Sequence, residues 1–103
     1  MIKHIIIWRL KDSAGGRSKA ENAQMIKEKL EARKGVVPGL LKVEVGIDMG
    51  PTPEFPWRGE DASDVVFYSE WESRAALDAY MKNPDNHFVR DARTERRVID
   101  WEV

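Results

Sequence analysis

Apolar residues recur at alternate positions in some stretches of this chain and at spacings of three and four in others, which predicts strands interleaved with helices. The first ten residues contain the unbroken apolar run Ile5–Trp8, typical of a strand buried on both faces. Because strand side chains alternate, His4, Ile6 and Trp8 share one face of it. We therefore predict a strand over Met1–Leu10 that is buried on both faces.

The first helix is predicted to begin after Ser18. Ser18 and Glu21 have the spacing of a capping box, in which each side chain accepts a hydrogen bond from the other residue's backbone N–H. Ala23, Ile26 and Leu30 then fall on one apolar stripe. Gly35 supplies the left-handed residue that often follows a helix end, and residues 11–17 are predicted to form a loop.

Two further strands are predicted on either side of a long irregular segment. Leu40–Asp48 alternates between apolar and charged residues, and Val65–Trp71 is rich in β-branched and aromatic residues. Met49–Ser63 between them contains three prolines. Loops of that length are often functional, so its Trp57 is a candidate lid over a cavity or a candidate dimer contact.

The remaining sequence predicts two helices and a last strand. Ser73 occupies a helix N-cap position before the helix-favouring run Ala75–Met81. Pro84 ends or kinks that helix, because the residue before a proline is disfavoured in helical geometry. A short helix over Asp85–Thr94 and a strand over Arg96–Val103 complete the chain.

The predicted order is β-α-β-β-α-α-β in one domain over residues 1–103, an α+β ferredoxin-like arrangement. Its helices would cover one face of a four-stranded antiparallel sheet. We expect the other face to expose Ile6, Trp8 and Phe67. An exposed apolar patch of that size indicates an interaction surface, and a symmetric homodimer packed sheet to sheet, a dimeric α/β barrel, would cover it.

Composition excludes several classes of function. The chain has 17 basic and 18 acidic residues among 103, so it carries no electrostatic signal for nucleic acid or for an anionic membrane. It has no cysteine and two histidines without metal-ligand spacing, so we expect neither disulfide nor metal site. The apolar run at Ile2–Leu10 is too short to cross a bilayer and is not followed by a cleavage signal. We expect a cytoplasmic protein.

Four short motifs, taken together and in order, resemble the stress-responsive α/β-barrel (Dabb) family over nearly the whole chain. They are Lys3–Asp12 (KHIIIWRLKD), Pro38–Leu40 (PGL), Ser69–Ser73 (SEWES), and Ala79 and Tyr80 followed by Asn83 and Pro84. The resemblance implies dimeric barrels that enclose a cavity between their sheets. Most members of the family have no assigned activity. One plant member is a polyketide cyclase that works without cofactor through a tyrosine and a histidine.

The resemblance also implies three candidate catalytic residues. Tyr80 matches the tyrosine of the cyclase, and His4 matches the amino-terminal histidine common in the family. The family pattern His-Pro-x-His reads Asn-Pro-Asp-Asn at residues 83–86, and His87 follows one residue late, turned by about 100° on a helix. His4, Tyr80 and His87 are the candidate acid/base groups, and Asn86 is a candidate hydrogen-bond donor to a ligand.

The function predicted from these observations is the binding of a small apolar molecule in a cavity between the sheets, with no cofactor. The residues expected to line that cavity are Ile6, Trp8, Phe67, Ser69, Asn86 and Val98. One alternative is a cofactor-independent enzyme of the cyclase or monooxygenase type. The other is a purely structural dimer, in which bulky Trp8 and Phe67 fill the cavity.

Four arginines are grouped near the end of the chain, at positions 90, 93, 96 and 97. They could attract an anionic ligand. Alternatively, they could form a solvated helix face and pair with Asp91 and Glu95. We favour the second interpretation, since ion pairs at helical spacing are common on exposed helices.

Overall fold

The sheet of this protein has four strands and is antiparallel throughout, as predicted. The computed structural model describes residues 1–58, 62–83 and 87–103, the last range without the side chain of its first residue. Its elements are β1 (Ile2–Leu10), β2 (Ser13–Ala14), β3 (Arg17–Ser18), α1 (Lys19–Glu31), β4 (Leu40–Ile47), β5 (Val65–Trp71), α2 (Arg74–Met81), α3 (His87–Ala92) and β6 (Arg93–Glu102). The strand order β4-β5-β1-β6 is that of a ferredoxin-like α+β fold.

Local capping chemistry sets the starts of the first two helices. The backbone N–H of Glu21 donates to Ser18 Oγ at 3.2 Å, and the backbone N–H of Ser18 donates to Glu21 Oε1 at 3.1 Å. Ser73 caps α2 in the same way, since its Oγ accepts from the backbone N–H of Ala76 at 3.2 Å. Both predicted caps are confirmed. The predicted loop 11–17 instead contains the short β2–β3 hairpin, and β6 begins at Arg93 rather than Arg96.

The core lies between the sheet and the helices. Even-numbered residues of β1 are buried on this side, and all of them except His4 belong to one apolar cluster with Ile26 and Leu30 of α1 and Leu77 of α2. Ile6, Trp8 and Phe67 belong to it, with exposed fractions of 4%, 5% and 2%. The expectation that these three stand exposed on the other face is therefore wrong. Both faces of β1 are apolar, and alternation shows which residues share a face but not which face the helices cover.

The opposite surface of the sheet carries the exposed apolar side chains, and we call it the open face. It is formed by the odd-numbered residues of β1 and the residues paired with them, because directly opposed residues in an antiparallel pair point to the same side. Its apolar members are Ile5, Ile7, Val66, Ile99 and Trp101. Ile99 is 60% exposed. The open face, rather than the predicted set, is the surface available for association.

One turn brings α2 unusually close to the backbone. Gly39 has φ of +83°, and its carbonyl accepts from the backbone N–H of Glu72 at 2.9 Å. A Cβ at this position would lie 2.5 Å from the Cβ of Ala76. Gly39 is therefore required both for its positive φ and for the close approach of the helix.

None of the helices in the described part of the chain has the length and apolar character needed to cross a membrane.

Candidate functional site

A cavity of about 100 Å³ lies on the helix side of the sheet, within one protomer. Ile6 and Trp8 of β1 and Phe67 of β5 provide its sheet wall. The other residues that line it are Leu30, Tyr80, Met81, Asn83, Val89, Arg90, Arg93 and Arg96. The cavity was predicted between two sheets. It lies instead between the sheet and the helices, because that is the side to which Ile6, Trp8 and Phe67 point.

The apolar wall of the cavity is a set of packed aromatic rings. Trp8 and Phe67 are stacked, with ring centroids 6.1 Å apart and planes 9° from parallel. Phe67 lies 6.4 Å from Tyr80, and Tyr80 lies 4.9 Å from Trp71. Rings held by several neighbours lose little freedom when a ligand packs on them. This wall is therefore preformed for a flat apolar group.

Tyr80 contributes a hydroxyl that is tied to an arginine. Arg33 Nη1 donates to the Tyr80 hydroxyl at 3.0 Å, and the guanidinium also lies 5.4 Å from the centre of the ring. Burial raises the pKa of Tyr80 above its ordinary value, and Arg33 partly opposes that rise. Tyr80 is therefore a neutral phenol near neutral pH. It is suited to hydrogen bonding and not to removing a proton.

His4 is buried beside the cavity wall but is not one of the lining residues. Its Nδ1 contacts the Asp100 carboxylate, and its ring meets the Phe67 ring edge-on at 5.7 Å between centroids. In the neutral tautomer that donates Nδ1–H to Asp100, Nε2 would be an acceptor. Nε2 is buried and has no hydrogen-bond partner within the described part of the chain. No hydrogen bond therefore joins His4 to Tyr80.

The other predicted site residues are distributed as follows. Ser69 is completely buried and accepts from Trp71 Nε1 at 2.8 Å, and it does not line the cavity. Val98 is 44% exposed and also lies outside the lining. Asn86 lies outside the described residues, and His87 begins α3 with a side chain that is outside them too. The functional roles assigned to all of these residues stay predictions.

Three arginines on one part of the lining were not predicted to belong to the site. Arg90 lies on α3, and Arg93 and Arg96 lie at the start of β6. None of the three forms an ion pair, so the expected pairing with Asp91 and Glu95 is wrong within the described chain. The three arginines are spaced three residues apart, which would place them on one face of a single helix. The chain changes from α3 to β6 between Arg90 and Arg93, so neither the helical nor the strand periodicity applies to all three.

No group of three or more His, Asp or Glu side chains within residues 1–58, 62–83 and 88–103 is arranged to hold a metal ion.

A family model described as the stress responsive A/B barrel domain, Dabb, matches residues 2–103. This chain belongs to the Dabb family. The match covers all the secondary structure described above, so the resemblance drawn from the four motifs is confirmed. A search of curated proteins gives no match to this Dabb chain.

Solved structures similar to this Dabb chain share its fold. One is a dimeric protein of unknown function with a ferredoxin-like fold from Bacteroides fragilis, with a TM-score of 0.79, 23% identity, and coverage of 99% of this chain and 95% of that one. Another is a dimeric ferredoxin-like protein of unknown function from Thermobifida fusca, with a TM-score of 0.70, 18% identity, and coverage of 99% and 90%. A third is an antibiotic biosynthesis monooxygenase, with a TM-score of 0.62, 21% identity, and coverage of 100% and 98%.

Proposed function

We propose that this Dabb protein is a homodimer that binds one small organic molecule in the helix-side cavity of each protomer. The observation that carries the proposal is the cavity itself. It has a preformed aromatic wall and a polar, arginine-bearing side, and a few placed polar groups in a mostly apolar recess are typical of ligand sites.

The size of the cavity limits the ligand. Drug-sized ligands occupy pockets of roughly 300–1,000 Å³, whereas a cavity of about 150 Å³ in a protein core accommodates benzene. The cavity of about 100 Å³ is smaller than both, so its ligand is limited to a small ring or a short chain with a polar end that reaches the arginines. This space also argues against the purely structural alternative, since Trp8 and Phe67 lie flat against each other and do not fill it.

A fragment screen by NMR tests the binding function. The ¹⁵N-labelled protein would be titrated with single-ring aromatic compounds. We expect shifts in the signals of β1, β5 and α2 around the cavity and in the Trp8 indole N–H, which a Trp8→Phe variant assigns. Shifts confined to the open face, or none at all, would contradict the proposal.

The open face supports the homodimer. Ile7, Val66 and Ile99 lie on it side by side with Ile5, and a monomer would leave them in water. The similar proteins from Bacteroides fragilis and Thermobifida fusca are dimers. A two-fold axis would bring the same apolar strip of both copies together, as isologous interfaces require.

Sedimentation velocity tests the homodimer. Ile99→Asp puts a charge on the open face at a position that is 60% exposed in the protomer, so the fold tolerates it. We expect this variant to be monomeric. Val36→Asp is the matched control, because Val36 is 75% exposed and lies outside the sheet. A wild-type monomer at micromolar concentration would refute the dimer.

A second candidate function is cofactor-independent acid/base catalysis on a ligand in the cavity. The observation that favours it is the buried Nε2 of His4, which has no hydrogen-bond partner among the described residues and belongs to a ring packed against Phe67 of the cavity wall. His4 does not line the cavity, so this candidate requires the Phe67 ring to move aside before a ligand can reach Nε2. For an enolisable ligand from the screen, His4→Gln would then remove solvent deuterium exchange at the ligand, and Tyr80→Phe would retain much of it. Equal exchange with and without the protein would refute this candidate.

A further inference from the structure

We infer that the ligand of the cavity is a small organic anion, whose apolar ring packs on the aromatic wall and whose carboxylate or other oxyanion lies among Arg90, Arg93 and Arg96. This inference rests on the proposed binding function and names its chemical class. It follows from three properties of the cavity: positive charge that no described acidic residue of the lining compensates, the hydrogen-bonding geometry of guanidinium groups, and the flat shape of the wall.

The charge of the lining is positive, and no acidic side chain among residues 1–58, 62–83 and 88–103 neutralises it. Arg90, Arg93 and Arg96 all line the same cavity, and no Asp or Glu among the described residues does. None of the three forms an ion pair with another side chain in the described part of the chain. Like charges held together near a low-dielectric wall repel one another, and a bound anion removes that cost.

Guanidinium groups are chemically suited to oxyanions. Each presents several N–H donors in one plane and accepts nothing, which matches the two oxygens of a carboxylate or phosphate. Arg90 comes from α3 and Arg96 from β6, so donors reach the site from two elements. Donors from different elements fix the direction of a head group better than donors from one flexible side chain. A cationic head group would meet repulsion at the same place.

The aromatic wall, which lies opposite the arginines, favours a ligand whose uncharged part is flat and apolar. Trp8 and Phe67 present nearly parallel ring planes, and Leu30, Ile6 and Val89 complete an apolar surface. A flat ring gains the most contact on such a surface. A ring with an anionic substituent therefore satisfies both sides of the cavity at once.

Three probes with one carbon skeleton and different head groups test the inference. Phenylacetate is an anion, phenethyl alcohol is neutral, and phenethylammonium is a cation. We expect phenylacetate to bind about tenfold or more tightly than the alcohol, because hydrogen bonds between charged groups are stronger than those to a neutral hydroxyl. We expect the ammonium to bind the most weakly. The affinity for phenylacetate should also fall with added salt.

Arginine variants locate the effect in the cavity. Arg93→Gln and Arg96→Gln should each weaken phenylacetate binding by roughly tenfold and leave the alcohol unchanged. Arg97→Gln is the matched control, because Arg97 is the next residue of the same strand but pairs with Ile7 on the open face. We expect it to bind phenylacetate as the wild type does. Arg96 is exposed, so its replacement does not threaten folding.

The outcomes separate this inference from the binding function. Equal affinity for the acid and the alcohol, with shifts at the cavity, would overturn the anion and leave the binding function standing. An equal loss in Arg97→Gln would assign the effect to net charge rather than to the cavity and would also overturn it. Failure of all three probes to bind would contradict the binding function, and the inference with it.

Discussion

The guanidinium of Arg33 donates to the hydroxyl of Tyr80 at 3.0 Å and thereby connects the segment after α1 to the last turn of α2. The same guanidinium lies 5.4 Å from the Tyr80 ring and 5.6 Å from the Phe88 ring, so it also contacts α3. One side chain thus contacts the two helices that cover the cavity on the side away from the sheet. Its positive charge also lowers the pKa of Tyr80 and so partly opposes the rise caused by burial.

Arg33→Met is expected to raise the pKa of Tyr80 further, because burial already raises it and Arg33 is the group that opposes the rise. The measurement is the ultraviolet absorbance of tyrosinate against pH in a Tyr68→Phe background. That background is needed because the hydrogen bond to Glu70 raises the pKa of Tyr68 to about 12. Lys34→Met, which removes an adjacent exposed cation, is the control.

The same pKa shift predicts how stability depends on alkaline pH. The folded protein holds the Tyr80 proton more tightly than the unfolded chain, whose tyrosine has the ordinary pKa of 10.0. The resulting stabilisation is complete below that value and is lost as pH rises through the folded pKa. Tyr80→Phe should therefore flatten the fall of unfolding free energy in this range. An unchanged slope would mean that the tyrosine is accessible to solvent.

Gly39→Ala is expected to destabilise the fold by more than Gly35→Ala. Both glycines have positive φ, +83° and +80°, so both substitutions carry the backbone cost of about 1–2 kcal/mol. A Cβ at Gly39 also meets the Cβ of Ala76 at 2.5 Å, whereas a Cβ at Gly35 meets nothing within 4 Å. The difference between the two, about 1–3 kcal/mol in urea unfolding, isolates the close approach of α2. Equal losses would show that α2 shifts without cost.

Ser69→Ala is expected to cost about 1–3 kcal/mol, because it leaves the buried indole N–H of Trp71 without its acceptor. In a Trp71→Phe background the donor is already absent, so the same serine substitution should cost much less. The four proteins form a double-mutant cycle, measured by urea unfolding. Additive losses would refute the hydrogen bond as the reason for a polar group at this position.

Glu21→Gln is expected to make the protein less sensitive to acid. The backbone N–H of Ser18 donates to the Glu21 carboxylate, and this lowers the pKa of Glu21 in the folded protein. A lowered folded pKa contributes stability above the unfolded value of 4.5, and that contribution is lost as pH falls through the folded pKa. The unfolding free energy of the variant should therefore decline less steeply in acid. A steeper decline would contradict the capping interaction.

The sequence was sufficient for most element bounds because their signals are local. The caps at Ser18 and Ser73 depend on residues three positions away, and β5 was predicted with the bounds that the structure has. Which face of β1 packs against the helices could not be predicted from the sequence. Its two faces are both apolar, so only the packing of the helices decides that Ile6 is covered and Ile5 is not.

The site required information that no local pattern holds. His4 contacts Asp100, a residue 96 positions away, through the pairing of β1 with β6. The arginines of the cavity were missed because α3 passes directly into β6 at Arg93, without a glycine or proline to mark the change. When the four arginines are assigned to one exposed helical surface, all of them are predicted to face solvent. That assignment does not distinguish Arg90, Arg93 and Arg96, which line the cavity, from Arg97, which lies on the open face.

The β6 strand belongs to two surfaces at once. Arg96 and the alternate residues after it point to the cavity side of the sheet, while Arg97, Ile99 and Trp101 point to the open face. Relatives of this protein can therefore change what they hold and how they pair as two independent traits, through substitutions at alternate positions of one strand. Insertion of a single residue within that strand would exchange the two sets and abolish both traits together.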